Sequence, residues 1–325
     1  MKYTTLGRTG ITVSRLCFGT MSFAREADEQ TAGQMFRRCR DAGINFFDCA
    51  NVYSWGRAEE MLGKLIRDGR HELVITSKVG AAMGEGLNQR GLSRRHIMQQ
   101  AEASLRRLGT DWLDVYFCHC EDRLTPVEET LRALDDLVRQ GKVRYLGVSN
   151  WTAWRVARAL GTAERLGFSP IQVIQPMYNL AKRTAEVEIL PMAQAEGLGV
   201  ITYSPLGGGL LTGKYAAGQK PTEGRLLVHK GYAQRYAQRV YHDIAERFCA
   251  YAVKLGLSPV TLAVAWVNAH PAVTAPIIGA RNVAQLEPSL AAADYEMTPE
   301  QWNEISALTP PVPVATDRDE ERQKP

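Results

Sequence analysis

A chain of 325 residues that is 45% hydrophobic and 23% charged has the composition of a globular protein. Its net charge of +4 is small, its Lys and Arg residues are scattered, and no apolar run approaches the roughly 18 residues of a membrane span, which argues against nucleic-acid binding and membrane insertion. The length admits two domains or one α/β barrel, since such barrels reach about 250 residues or more as single domains.

Residues 1–14 read as a hairpin turned by Leu6-Gly7-Arg8-Thr9-Gly10. Strands and helices then alternate. Leu16 to Gly19 is a strand, and Asp28 to Ala42 a helix stopped by Gly43. Ile44 to Asp48 is a strand and Ala58 to Arg67 a helix. Leu73 to Lys78 is a strand, followed by a helix from the N-cap Ser93 to Leu108. Leu113 to His119 is a strand, and Pro126, at a first helical turn, leads a helix to Gln140. Val143 to Val148 is a strand, then Thr152 to Leu166 a helix. Ile171 to Ile174 is a strand, then Glu186 to Ala195 a helix. Leu198 to Tyr203 is a strand.

A long irregular stretch, about 204–239, interrupts the pattern. Helices to Leu255 and from Pro259 to Asn268 follow, then strand Thr274 to Gly279, helix Val283 to Ala292 and helix Pro299 to Ser306. Eight strands each followed by helix predict an α/β fold, a (β/α)8 TIM barrel with an N-terminal β-hairpin and extra C-terminal helices and loops. A doubly wound open sheet usually carries a glycine-rich turn after its first strand, which Gly19-Thr20-Met21-Ser22 does not supply. Residues 1–308 are expected to form one barrel domain. Residues 309–325, rich in proline and charge, read as a mobile tail.

The cysteines Cys17, Cys39, Cys49, Cys118, Cys120 and Cys249 lack framework spacing and read as reduced thiols. With no charged-then-apolar pattern at residues 1–5, the expected location is cytoplasmic. Oligomeric state is not readable.

The polar residues at strand ends carry the functional reading. Asp48 ends the second barrel strand and Tyr53 lies in the loop behind it. Lys78 ends the third strand and His119 the fourth. Singly, they read as a solvated acid, a half-buried tyrosine, a strand-edge lysine and a core histidine. Together they occupy the carboxyl ends of three consecutive strands, where barrel enzymes place their chemistry. Cys118-His119-Cys120 does not make a metal site, because successive strand residues point to opposite faces; no metal is expected. Gly208-Gly209-Leu210-Leu211-Thr212-Gly213-Lys214 falls short of a phosphate-binding loop at Tyr215, where Ser or Thr would hold magnesium, but glycine backbone and one lysine can still meet a phosphate.

Several motifs stand in a specific order: Phe46 to Tyr53, Thr76-Ser77-Lys78, Val115 to His119, Gly147-Val148-Ser149-Asn150-Trp151, Ile174 to Asn179, Tyr203-Ser204-Pro205-Leu206 and Pro276 to Arg281. Through them the chain resembles the aldo-keto reductase superfamily over nearly its whole length, in the branch of bacterial reductases and potassium-channel β subunits. The resemblance implies a catalytic tetrad of Asp48, Tyr53, Lys78 and His119. It also implies a nicotinamide dinucleotide, usually NADPH, lying across the carboxyl end of the barrel. Ser149, Asn150 and Gln175 would hold its carboxamide and Tyr203 would stack on the nicotinamide. Ser204, Leu206, Gly207 and Gly208 would line the pyrophosphate. Lys214 and Arg281 would face phosphates, Arg281 the 2′-phosphate, with Gly279 and Gln285 at the adenosine end.

The chain departs from the family at Pro288 and Ser289, where Glu-Asn usually meets adenine, so NADH is the alternative cofactor. Cys49 also replaces the commoner Thr. The implied reaction is hydride transfer to a small-molecule aldehyde, ketone or keto-sugar, reversible as alcohol oxidation, with Tyr53 as general acid. Lys78 within about 4–6 Å would lower the Tyr53 pKa. Two other readings stand beside it: an NADP(H)-sensing regulatory subunit with little turnover, and a Schiff-base enzyme built on Lys78. The intact His119 disfavours the first, and the Asp48 charge disfavours the second. The pocket rim would include Met21, Trp55, the loop 120–123 and part of 204–239. Lys230 to Tyr236 is either a lid or a plain surface helix.

Overall fold

The computed structural model describes residues 1–215, 221–316 and 318. β1 (Tyr3–Thr5) and β2 (Thr12–Ser14) form the antiparallel hairpin, with Tyr3 opposite Ser14. Eight parallel strands follow: β3 (Cys17–Gly19), β4 (Phe46–Asp48), β5 (Val74–Val79), β6 (Leu113–Cys118), β7 (Val143–Ser149), β8 (Ile171–Gln175), β9 (Gly199–Thr202) and β10 (Ala275–Ile278). They close into a barrel in chain order, β10 pairing with both β9 and β3.

The helices are α1 (Glu29–Asp41), α2 (Arg57–Ile66), α3 (Arg94–Leu108), α4 (Val127–Arg139), α5 (Ala153–Leu166), α6 (Ile189–Ala195), α7 (Arg225–Val228), α8 (Lys230–Arg235), α9 (Arg239–Lys254), α10 (Pro259–Ala269), α11 (Val283–Leu290) and α12 (Pro299–Ser306). Local chemistry sets their ends. The Asp28 carboxylate accepts from Thr31 N at 2.8 Å and starts α1. Ser93 caps α3 at its N-terminus, and Gly109, in the left-handed region at φ +62°, ends it.

Three expectations are corrected. Pro126 is the N-cap of α4, one residue before the helix: its ψ of 140° is extended, while its carbonyl already accepts from Thr130 N at 3.2 Å. α6 starts at Ile189, not Glu186. Pro191 is tolerated only in a first turn, and Glu186 sits in a separate 3-10 turn with its carboxylate held by Arg183 and Tyr178. The stretch expected to be irregular holds a 3-10 segment, Gly207–Thr212, and the short helices α7 and α8, too brief to show a hydrophobic period. Residues 309–316 have no helix or strand, and most of the expected tail lies outside the described residues.

Period-two alternation divides the core. Cys17, Phe46, Val74, Val115, Phe117, Val173, Ile201 and Ala275 fill the barrel, and the hairpin's Leu6 and Val13 pack beneath them. Phe47, Ile75, Tyr116, Leu146, Ile174 and Val200 face outward into the larger cluster under the helices. α10 is buried at every residue from Thr261 to Val267, so it is apolar all round. Trp302 of α12 stacks on its Trp266 with ring planes 2° apart. Among the described residues no single helix is long and apolar enough to cross a membrane.

Candidate active site

The same alternation that puts Phe46 inside the barrel puts Asp48 inside one layer higher. Thr76 and Lys78 follow Val74 inward, Gln175 follows Val173, and His119 follows Phe117. Asp48 lies opposite Thr76 in the ladder, and Lys78 opposite Phe117. Lys78, fully buried, donates from Nζ to Asp48 Oδ2 at 2.6 Å and to the Cys49 carbonyl at 2.7 Å. Its Nζ stands 3.4 Å from the Tyr53 hydroxyl. Asp48 Oδ1 accepts from Thr76 Oγ1 at 2.7 Å and from Gln175 Nε2 at 2.9 Å, so both carboxylate oxygens are held. The Tyr53 and His119 rings meet edge to face, 6.0 Å between centroids. His119 Nδ1 is buried without a hydrogen-bond partner.

The electrostatics follow from this packing. Burial opposes the charge on Lys78, but Asp48 and Tyr53 together outweigh it and hold its pKa above the ordinary lysine range. Tyr53 corrects the sequence expectation. Lys78 does lower its pKa, but burial is the larger effect and the net shift is upward, so the phenol keeps its proton at neutral pH. His119 is pushed down to about 3, by burial first and then by Lys78, and is neutral.

Tyr53 opens a short 3-10 turn whose next three residues are all left-handed: Ser54 at φ +50°, Trp55 at +58° and Gly56 at +91°. Each non-glycine residue there costs about 1–3 kcal/mol, which the surroundings must offset. Ser54 Oγ donates to the Phe23 carbonyl at 2.8 Å. Trp55 is 65% exposed, which excludes a core-packing role.

A second polar set continues around the barrel mouth. Ser149 Oγ donates to the Gln175 carbonyl at 2.9 Å. Asn150, left-handed at φ +60°, donates to the His119 carbonyl at 2.9 Å and accepts from the Tyr203 hydroxyl at 2.7 Å. Ser204 follows, also left-handed at φ +59°. After Leu206, three consecutive glycines, Gly207, Gly208 and Gly209, have positive φ. α8 lies over them: a Cβ on Gly208 would sit 2.9 Å from Tyr232. His229, just before α8, accepts from the Arg25 guanidinium in the loop after β3. Segment 230–236 is thus a helix packed on the glycine loop.

Lys214, Arg225 and Arg281 gather beside that loop. Burial lowers the Lys214 pKa, and Arg281 and Arg225 lower it further by their like charge. Arg281 pairs with Glu223 at 3.1 Å, and its backbone N–H donates to Gln285 Oε1 at 3.3 Å. Gly279 follows β10, where a Cβ would lie 3.5 Å from the Gly19 carbonyl. Ser289 is buried and the Pro288 carbonyl accepts from Thr261 Oγ1 at 2.7 Å, so these two departures are tied into the helix packing.

The profile of the aldo/keto reductase family matches residues 15–310. The chain belongs to the aldo/keto reductase family. It is 40% identical over 324 residues to an uncharacterized oxidoreductase of Bacillus subtilis, covering 95% of this chain and 96% of the other. It is 38% identical over 327 residues to a probable voltage-gated potassium channel subunit beta of Oryza sativa subsp. japonica, covering 98% and 99%. It is 34% identical over 344 residues to a putative aryl-alcohol dehydrogenase of Schizosaccharomyces pombe, covering 96% and 97%.

In this aldo/keto reductase, Lys214, Arg225 and Arg281, with Glu223 among them, stand beside glycine backbone of positive φ, a set of donors that suits a phosphate group. The sequence reading missed three residues of this region. Thr76, two before Lys78 on the same strand face, was legible from the strand period. Glu223 and Arg225 were not, because the place of one beside Arg281 and of the other near Lys214 depends on how a non-periodic segment folds back.

Proposed function

We propose that the chain is an NAD(P)H-dependent carbonyl reductase with NADPH as its usual cofactor. The observation that carries this reading is the line Asp48–Lys78–Tyr53, a buried ammonium 3.4 Å from a half-buried phenol at the barrel mouth. Ser149, Asn150, Gln175 and Tyr203 would hold the nicotinamide end. Ser204, Leu206, Gly207, Gly208 and Lys214 would hold the pyrophosphate, and Gly279, Arg281 and Gln285 the adenosine end. Arg281 supports NADPH, since a guanidinium suits a 2′-phosphate. When bound, the reduced nicotinamide supplies hydride to the carbonyl carbon.

The protein's own part is to answer the charge that grows on the carbonyl oxygen. Tyr53 gives its proton there as general acid. Lys78 stabilises the tyrosinate left behind, and Asp48, fixed by Thr76 and Gln175, keeps Lys78 charged and in place. Neutral His119 orients the carbonyl by a hydrogen bond. Lys78 is a poor Schiff-base nucleophile, since its raised pKa keeps it protonated.

The test follows NADPH consumption by near-ultraviolet absorbance against aldehydes, ketones, aryl carbonyls and keto-sugars, with Tyr53→Phe as control. Substrate-dependent consumption that disappears in the variant, while cofactor still binds, is expected. Comparable turnover in Tyr53→Phe would remove Tyr53 from its role. The similarity to the rice protein named as a channel subunit favours a second reading, a cofactor-sensing regulatory subunit. Tight cofactor binding with no turnover across the panel would select it.

A further inference from the structure

Helix α3 buries an unusual face. A helix packed on a barrel normally buries one apolar stripe. α3 buries Ile97, Ala101 and Leu105 at four-residue spacing. Beside them it buries His96, Gln100 and Ser104 at the same spacing, with Arg107 extending the polar stripe. Buried polar groups are costly unless partnered, so their partners matter.

Gln100 Oε1 accepts from Asn51 Nδ2 at 3.0 Å. Asn51 is fully buried and lies between Asp48 and Tyr53. Arg107 Nε donates to Glu59 Oε2 at 2.7 Å, and Glu59, in the first turn of α2, is fully buried. The other Glu59 oxygen accepts from Ser77 Oγ, on the outer face of β5 next to Lys78. Gly56, the last left-handed residue of the tyrosine turn, lies against the same arginine: a Cβ there would sit 2.7 Å from Arg107 Cδ. The chain from Asn51 to Gly56 is therefore held from behind at both ends by α3, and Glu59 ties that hold to the strand bearing Lys78.

We propose that Glu59, Arg107 and Gln100 form a clamp of positioning residues that fixes the strained Tyr53 turn against β5 and so sets the approach of the Tyr53 hydroxyl to Lys78. This rests on the reductase reading of Tyr53 and Lys78. An ion pair suits the task because its charge-assisted hydrogen bonds are directional.

The test uses Glu59→Gln, Arg107→Met, their double variant, and Gln100→Met as the milder change. The control is Arg70→Met, which breaks a comparably buried pair with Asp114, 2.8 Å apart, near the start of β6. A small displacement of a catalytic group is expected to cut kcat about tenfold or more in each clamp variant, with KM and the cofactor dissociation constant within about twofold. The Glu59/Arg107 double variant should lose no more than either single change, since the two act as one unit. Hydrogen exchange over residues 50–57 should rise. Arg70→Met should lower the melting temperature and spare kcat.

Folded Arg107→Met and Gln100→Met enzymes with wild-type kcat would overturn the clamp. So would a kcat loss matched by the Arg70 control, or unchanged exchange over 50–57. A wild-type protein without turnover would sink the reductase reading alone, and exchange over 50–57 would then decide the clamp. If the Glu59 and Arg107 variants fail to fold, Gln100→Met decides it by the same two readouts.

Discussion

Lys78 is where charge, burial and chemistry meet. Its ammonium is fully buried and spends its hydrogen bonds on Asp48 and the Cys49 carbonyl, with Tyr53 slightly farther away. Removing it leaves Asp48 buried with only Thr76 and Gln175 as donors. Lys78→Met should therefore lower stability by about 3–5 kcal/mol as well as nearly abolish turnover. Urea denaturation and steady-state rates measure the two effects, and wild-type activity would take Lys78 out of the mechanism.

His119 makes a different prediction at the same scale. Its pKa lies at about 3 in the fold, against 6.5 for a free imidazole. Between those values the unfolded chain binds a proton that the native protein does not. The stability associated with His119 is thus complete above pH 6.5 and is lost as pH falls toward 3. His119→Gln should flatten the acid limb of a stability profile taken between pH 7 and 4.5. Equal losses in variant and wild type would show that His119 is not the group responsible. Because the Tyr53 pKa is raised, reductive turnover should hold through neutrality and fall only at alkaline pH.

At the scale of elements, the contact between α2 and α3 shows packing overruling propensity. Gly63 lies mid-helix in α2, where alanine would ordinarily gain about 1 kcal/mol. A Cβ there would meet the carbonyl oxygens of Arg107 and Leu108 at 2.7 Å, and backbone cannot move aside as a side chain can. Overpacking of about 1–3 kcal/mol should win, so Gly63→Ala is expected to destabilise the protein in chemical denaturation. A stabilised variant would mean that the two helices separate freely. The strand elements were largely legible beforehand, because barrel strands buried on both faces read as short apolar runs. α7 was not, because four residues carry too little period to be recognised, and at α8 the sequence left a surface helix and a lid both open.

For the whole molecule, closure joins the first and last barrel strands: β10 pairs with β3, Ile277 opposite Cys17. We propose that residues 1–308 behave as one cooperative unit. α12 belongs to that unit through Trp302, whose Nε1 donates to the Trp266 carbonyl at 3.1 Å while its ring covers Trp266. A chain ending before Pro299 should lose this cover. A red-shifted tryptophan emission and a lower melting temperature are expected, and an unchanged melting temperature would detach α12 from the fold's stability.

The barrel, and the placing of Asp48, Lys78 and His119 at successive strand ends with Tyr53 in the loop behind Asp48, were readable from the residues alone. Those properties follow from local alternation, and residues two apart on a strand share a face whatever surrounds them. The folded packing was needed for the sign of the Tyr53 shift, because burial and the Lys78 charge act in opposite directions. It alone brought Gln175 onto Asp48, Arg225 beside Lys214, and Glu59 and Arg107 behind the tyrosine turn. These contacts join residues on different strands, helices and loops, and their distances are set by how the barrel closes and how its helices and loops pack around it.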